Sequence, residues 1–165
     1  MRHNRELVDW YLANQRVAQG FIPGLPKPKG SKSAVLRNGK VTMFETSKGL
    51  PEWEKAVQLH LRDSILSHAV RERNRPVFVQ LVFVMPRTKT VTRPEHTLPP
   101  DLDKLVRAVC DCLVREQVMV DDGQITDLHA SKRYAEEGED TGVWITVAQG
   151  AYSDLDGVTT VVWDD

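Results

Sequence analysis

PVFVQLVFVMPR, residues 76–87, is apolar at every position from Val77 to Met85 except Gln80. The run is too short for most helices and rich in β-branched residues and Phe. It does not alternate, so it reads as a strand covered on both faces, the centre of a sheet. Upstream, Trp53, Val57, Leu61, Ile65 and Ala69 recur every fourth residue after Pro51, the stripe of a helix laid against that sheet, with Arg71, Arg73 and Arg75 at its exit. Before it, SAVLRNGKVTMFE (33–45) has two β-rich runs around Asn38-Gly39, a strong hairpin signal. RVAQGFIPG (16–24) alternates and is stopped by Pro23-Gly24. Residues 2–15 show only a weak helical pattern through Leu7, Trp10 and Tyr11. Downstream comes a long loop, 88–100, containing Pro94, Pro99 and Pro100; loops of that length are usually functional or mobile. A helix over 101–116 follows, then strands at 124–134 and 143–149 separated by the acidic turn EEGEDTG.

The order β-ββ-α-β-α-ββ predicts an α+β fold in two layers, with a mixed sheet and both main helices on one side. At 165 residues the chain suits one domain with an added arm. The expected division is an N-terminal arm at 1–15, a folded domain at 16–149 and an acidic C-terminal tail at 150–165.

A hydrophobic fraction of 41% and a charged fraction of 27% describe an ordinary globular composition. No apolar run approaches the ~20 residues of a membrane span, and RHNRELVDWYLANQ lacks the apolar core of a signal peptide. The expected compartment is the cytoplasm, with no membrane partner. Cys110 and Cys112 would project about 200° apart on a helix, which rules out a disulfide or a shared metal site between them there and leaves buried or half-buried thiols. The net charge of −1 hides an asymmetry. Residues 1–93 carry 17 Lys and Arg against 7 Asp and Glu, a net of +10, and residues 94–165 carry 5 against 16, a net of −11. Such a split suits a basic surface for a polyanion beside an acidic, metal-collecting site.

PPDLDKLVRAVCDCLVREQVMVDDGQ (99–124) holds the acidic site. Leu102, Leu105, Val106, Val109 and Leu113 form a buried stripe, while Asp103, Arg107 and Asp111 share another face. Asp101, directly after Pro99-Pro100, is best placed as the cap or pre-cap residue, from which it can converge with Asp103. A strand-like VMV then ends in Asp121-Asp122-Gly123 at a sharp turn. Carboxylates at about 4 Å near a surface repel by on the order of 4 kcal/mol, so the grouping calls for a cation. Hard oxygen ligands in this number suit Mg²⁺, with Mn²⁺ as a substitute. Capping explains the first pair and a turn the second, but neither explains both.

PDLDKLVRAVCDCLV followed by VDDGQITDLHASK resembles the signature of the RusA-type Holliday junction resolvases, particularly phage-borne ones: D-x-D-N-L-x-K-x-x-x-D-x-L, then D-D-x-Q-I, then a Lys on the next strand. PGLPKPKGSK, Trp53 and VFVQLVFVMPR are similar too, and the resemblance covers about residues 17–149. It implies a Mg²⁺-dependent homodimer that nicks four-way DNA junctions in recombination and repair, leaving 5′-phosphate and 3′-hydroxyl ends. Carried over residue by residue, the metal ligands are Asp101, Asp103 and Asp122, with Asp121 adjacent. Arg107 stands at the catalytic lysine position and Lys104 where the family has Asn. Arg keeps the charge but exchanges no proton near neutral pH. Asp101, Asp103, Asp122 and Arg107 are thus the candidate catalytic set, with Arg107 and Lys132 available to neutralise charge building on the phosphate oxygens.

Candidate phosphate contacts are Lys27, Lys29 and Lys32 in the basic loop, Arg71, Arg73, Arg75, Arg87 and Lys132, with Lys89 and Arg93 nearby. His129 reads as a strand-surface residue, and no triad, P-loop or zinc spacing occurs. Two other readings stand beside the resolvase: a nuclease for flaps or forks, and a catalytically inactive module that binds branched DNA with the same fold. A calcium site at DDGQITD lacks the alternating ligands and final Glu of an EF-hand.

Overall fold

The structure is a computed structural model and describes residues 17–30, 32–37, 40–45, 47–63 and 75–149. The N-terminal arm, the Asn38-Gly39 turn, Ile65, Ala69, Arg71, Arg73 and the C-terminal tail lie outside the described residues.

The described elements are β1 (Val17–Pro23), β2 (Lys32–Arg37), β3 (Lys40–Glu45), α1 (Leu50–Asp63), β4 (Val77–Met85), α2 (Leu102–Arg115), a 3-10 turn (Asp122–Gln124), β5 (Ile125–Tyr134) and β6 (Gly142–Gln149). Four strands form one mixed sheet in the order β1-β6-β4-β5, and β2 and β3 form a separate two-stranded ribbon. β4 pairs in parallel with β5 and antiparallel with β6, which pairs antiparallel with β1. The fold is α+β, as the element order predicts, and β4 is one of the two inner strands, as its nearly continuous apolar run predicts.

Alternate residues of β4 (Val77, Val79, Leu81, Phe83, Met85) join Val143, Ile145 and Val147 of β6 and Ile22 of β1 in a core sealed by Trp53, Val57 and Leu61 of α1 and Leu105, Val109 and Leu113 of α2. On the opposite face of β4, Phe78, Gln80 and Val84 are buried too. The α2 stripe follows the predicted spacing, with Leu102 and Val106 partly buried at its margin and Ala108 and Cys112 added to it. Both cysteines are buried free thiols. Gly24 ends β1 at φ +143°, where a Cβ would come within 3.0 Å of the Trp53 ring; only glycine lets the chain turn there with the indole packed against it.

The strand expected at Val118–Val120 does not form. α2 ends in a Schellman motif: Gln117 takes φ 59°, its N–H donates to Val114 O at 3.0 Å, and Val118 N–H donates to Leu113 O at 2.9 Å. These bonds fold the chain back at once, and Val118 and Met119 go into the core as fully buried residues of a bend. Among the described residues no helix is long and apolar enough to cross a membrane.

Candidate active site

The first acidic pair sits at the start of α2. Asp101 is its N-cap in extended conformation, φ −67° and ψ 138°, and its carbonyl accepts from Leu105 N–H at 3.2 Å. Its carboxylate makes no capping hydrogen bond. Instead it pairs with Lys104 Nζ at 3.1 Å, on an exposed surface where both side chains stay solvated. Asp103 is exposed in the first helical turn, and Arg107, also exposed, lies one turn further on.

The second pair behaves asymmetrically. Asp121 caps the 3-10 turn: its Oδ1 accepts from Gly123 N–H at 2.8 Å, and Gln124 Oε1 accepts from Asp121 N–H at 3.1 Å and Val120 N–H at 3.0 Å. Gln124 Nε2 donates to Arg75 O at 3.1 Å, fastening the turn to the chain that enters β4. The Asp121 side chain is thereby engaged in its own turn, and both Asp121 and Asp122 are exposed. Burial first, then the carboxylates of Asp111 and Asp122, push the Cys110 thiol up to about 12. The 3-10 turn that Asp122 opens packs against α2.

Among the described residues no three Asp, Glu, His or Cys side chains are gathered as a ready-made metal cage. The donor chemistry nevertheless fits Mg²⁺, which usually takes one or two carboxylates and leaves its other positions to water and substrate phosphate. Asp103 and Asp122 are exposed hard donors of this kind, while the Asp101 carboxylate is shared with Lys104.

The candidate cations differ in burial and in the contacts that surround them. Lys29 is held: Nζ hydrogen-bonds Asp111 Oδ2 and lies 3.7 Å from Glu54 Oε1, and the side chain is 17% exposed. Its N–H donates to Lys104 O at 2.9 Å, pinning the basic loop against the first turn of α2, next to the acids. Lys27 is half-buried, its stem lying over Gly49. Lys32 opens β2, and its side chain lies outside the described residues. Arg75 is exposed on the rim of a cleft of about 580 Å³ lined with Val120, Asp121, Gly123, Gln124 and Thr126.

Arg87 and Lys132 brace the loop between β4 and α2. Arg87 donates to Ala135 O at 2.8 Å and to Val91 O and Arg93 O at 3.1 Å, with its guanidinium 5.4 Å from the Tyr134 ring centroid. Lys132 Nζ donates to Leu98 O and Pro100 O, each at 2.7 Å. Tyr134 N–H donates to Pro94 O at 2.8 Å, and Glu95 bridges to Arg133 as a short addition to the edge of β5. His96 packs on Tyr134 with centroids 4.6 Å apart, and burial, then the Lys132 charge, lower its pKa. Sequence reading offered no signal for these roles, because each joins a side chain to a backbone carbonyl or to a residue distant in the chain.

A family model described as Endodeoxyribonuclease RusA matches residues 23–147, well over half of the chain and inclusive of both acidic pairs. No curated protein matches the sequence.

Proposed function

The chain belongs to the RusA endodeoxyribonuclease family, and on that premise we propose that it resolves four-way DNA junctions by Mg²⁺-dependent hydrolysis of paired phosphodiester bonds. Membership makes it an endodeoxyribonuclease of a family that acts on Holliday junctions. The observation that supports the finer reading is the arrangement along α2: Asp103 and Arg107 exposed one turn apart, with the Asp122–Gln124 turn packed against the same helix.

Asp103 and Asp122 would hold the ion, with Asp101 joining them when Lys104 releases it. When bound, Mg²⁺ supplies Lewis acidity towards phosphate and an acidified water. Arg107, permanently charged, offsets negative charge as it builds on the phosphate oxygens and takes no part in proton transfer. Without a cation the carboxylates repel the phosphate. Asp103→Asn and Asp122→Asn should therefore abolish cutting while junction binding persists or tightens. Equal cutting by wild type and Asp103→Asn would remove the assignment.

Outside the acids, Lys27, Lys32, Arg71, Arg73 and Arg75 are the proposed phosphate contacts, an inference supported by the +10 charge of residues 1–93. A four-way junction has two-fold symmetry and needs nicks on two opposing strands, so we expect a homodimer presenting two acidic sites to one DNA. The Lys104–Asp101 ion pair favours a second reading, an inactive branched-DNA-binding module. That reading predicts junction binding with no cutting by the wild type in either Mg²⁺ or Mn²⁺.

A further inference from the structure

We infer that Lys132 is a positioning residue that fixes the entry to α2, and with it Asp101 and Asp103, rather than a contact to DNA phosphate. This rests on the nuclease reading and adds to it the residue that sets the spacing of the two acidic pairs.

The segment Leu98-Pro99-Pro100 leads directly into Asp101. Proline has no N–H, so this segment is rich in acceptors and poor in donors, and its carbonyls need partners from elsewhere. An ammonium supplies three donors and no acceptor. Lys132 spends two of them here, at 2.7 Å to Leu98 O and 2.7 Å to Pro100 O, on the two carbonyls that bracket Pro99. The next residue is Asp101, whose own carbonyl accepts the Leu105 N–H as α2 begins. Backbone bonds on the same strand hold the loop one step earlier, with His96 N–H donating to Lys132 O at 3.4 Å and Tyr134 N–H to Pro94 O at 2.8 Å.

The strand that carries Lys132 is the one that starts from the second acidic pair. β5 begins at Ile125, directly after the Asp122–Gln124 turn, and is locked in register with β4, Lys132 opposite Phe83. Lys132 therefore ties the chain leading into Asp101 to the strand leading out of Asp122. Groups hydrogen-bonded directly to metal-binding side chains are typically worth about 10–100-fold in metal affinity; Lys132 acts one step removed, through the backbone that leads into Asp101, so the lower end of that range is expected.

The test uses the full chain with Lys132→Met, Lys132→Gln and Lys132→Arg. Mn²⁺ binding is measured by electron paramagnetic resonance without DNA, and junction binding is measured in Ca²⁺ over a range of salt. The expected result is Mn²⁺ affinity lowered by about tenfold in Lys132→Met, the lower end of that range, less in Lys132→Gln, and largely restored in Lys132→Arg, whose guanidinium can still donate to both carbonyls. The salt dependence of junction binding should be unchanged in all three. Unchanged Mn²⁺ affinity in Lys132→Met, or a log–log salt slope reduced by about 0.9 as for a lost phosphate contact, overturns the inference. If Lys132→Met does not fold, Lys132→Gln and Lys132→Arg give the same decision. Wild-type protein that neither binds Mn²⁺ nor cuts junctions would instead remove the nuclease reading itself.

Discussion

Replacing Lys29 with Met decides whether this lysine serves the fold or the DNA. Its Nζ hydrogen-bonds Asp111 and lies 3.7 Å from Glu54, and the three side chains are only 17%, 28% and 17% exposed for Lys29, Asp111 and Glu54. A fully exposed pair contributes about 0.2–1 kcal/mol, and loss of one partner from a buried pair costs about 3–5 kcal/mol. This pair lies between those limits. A hydrogen bond to a charged group contributes about 1.5–3 kcal/mol, and Glu54 keeps Arg115 at 3.4 Å when Lys29 is lost. Lys29→Met should therefore destabilise the fold by about 2 kcal/mol, which for a domain of this size lowers the thermal midpoint by about 4–8 °C. Asp111→Asn should cost less, because Lys29 retains Glu54, and the double mutant should show clear non-additivity. Urea unfolding of the four proteins gives the cycle, and salt-dependent junction binding runs alongside it. A stability change below about 0.5 kcal/mol together with a salt slope reduced by about 0.9 would refute the structural role and return Lys29 to the DNA interface.

Neutralising Lys27 and Lys32 together should do the reverse, weakening junction binding and reducing its salt slope by about 0.9 per lost contact with little change in the urea midpoint. His96 sets a pH dependence. Its folded-state pKa lies below the ordinary 6.5 through burial and then the Lys132 charge, so the unfolded chain takes up the proton first. Stability from this group is complete above pH 6.5 and is lost as pH falls through 6.5 towards the folded value. His96→Gln should flatten the urea midpoint against pH in that window, and an unaltered profile would discount the group. Sedimentation at low micromolar concentration should show a homodimer, and a chain that stays monomeric with junction DNA bound would rule out paired cutting by one assembly.

The parts of the fold legible in the sequence are those whose cause is local. The apolar run of β4, the α2 stripe and the extended N-cap after two prolines each follow from neighbours within a few residues. What joins distant residues was not legible. Lys29 and Asp111 are 82 positions apart, and nothing in a basic loop marks one lysine as an internal ion-pair partner. Parallel pairing of β4 with β5, and β6 inserted between β4 and β1, depend on which sheet edge each strand reaches. At the acids, two adjacent aspartates look alike in sequence. The capping box engages the Asp121 side chain, with Gln124 three residues on to complete it, and makes Asp122 the first residue of the turn. The VMV segment misled by composition: its side chains suit a strand, but the Schellman bonds at the end of α2 decide the backbone first.

Junction resolution itself is measured by incubating the purified wild-type chain with a mobile four-way junction, with and without Mg²⁺, and resolving the labelled strands on a denaturing gel. Cutting is expected only with the metal, as paired nicks on two opposing strands that leave ligatable 5′-phosphate ends, with no cutting by Asp122→Asn. A wild-type chain that binds the junction yet leaves all four strands intact in Mg²⁺ and in Mn²⁺ would contradict it.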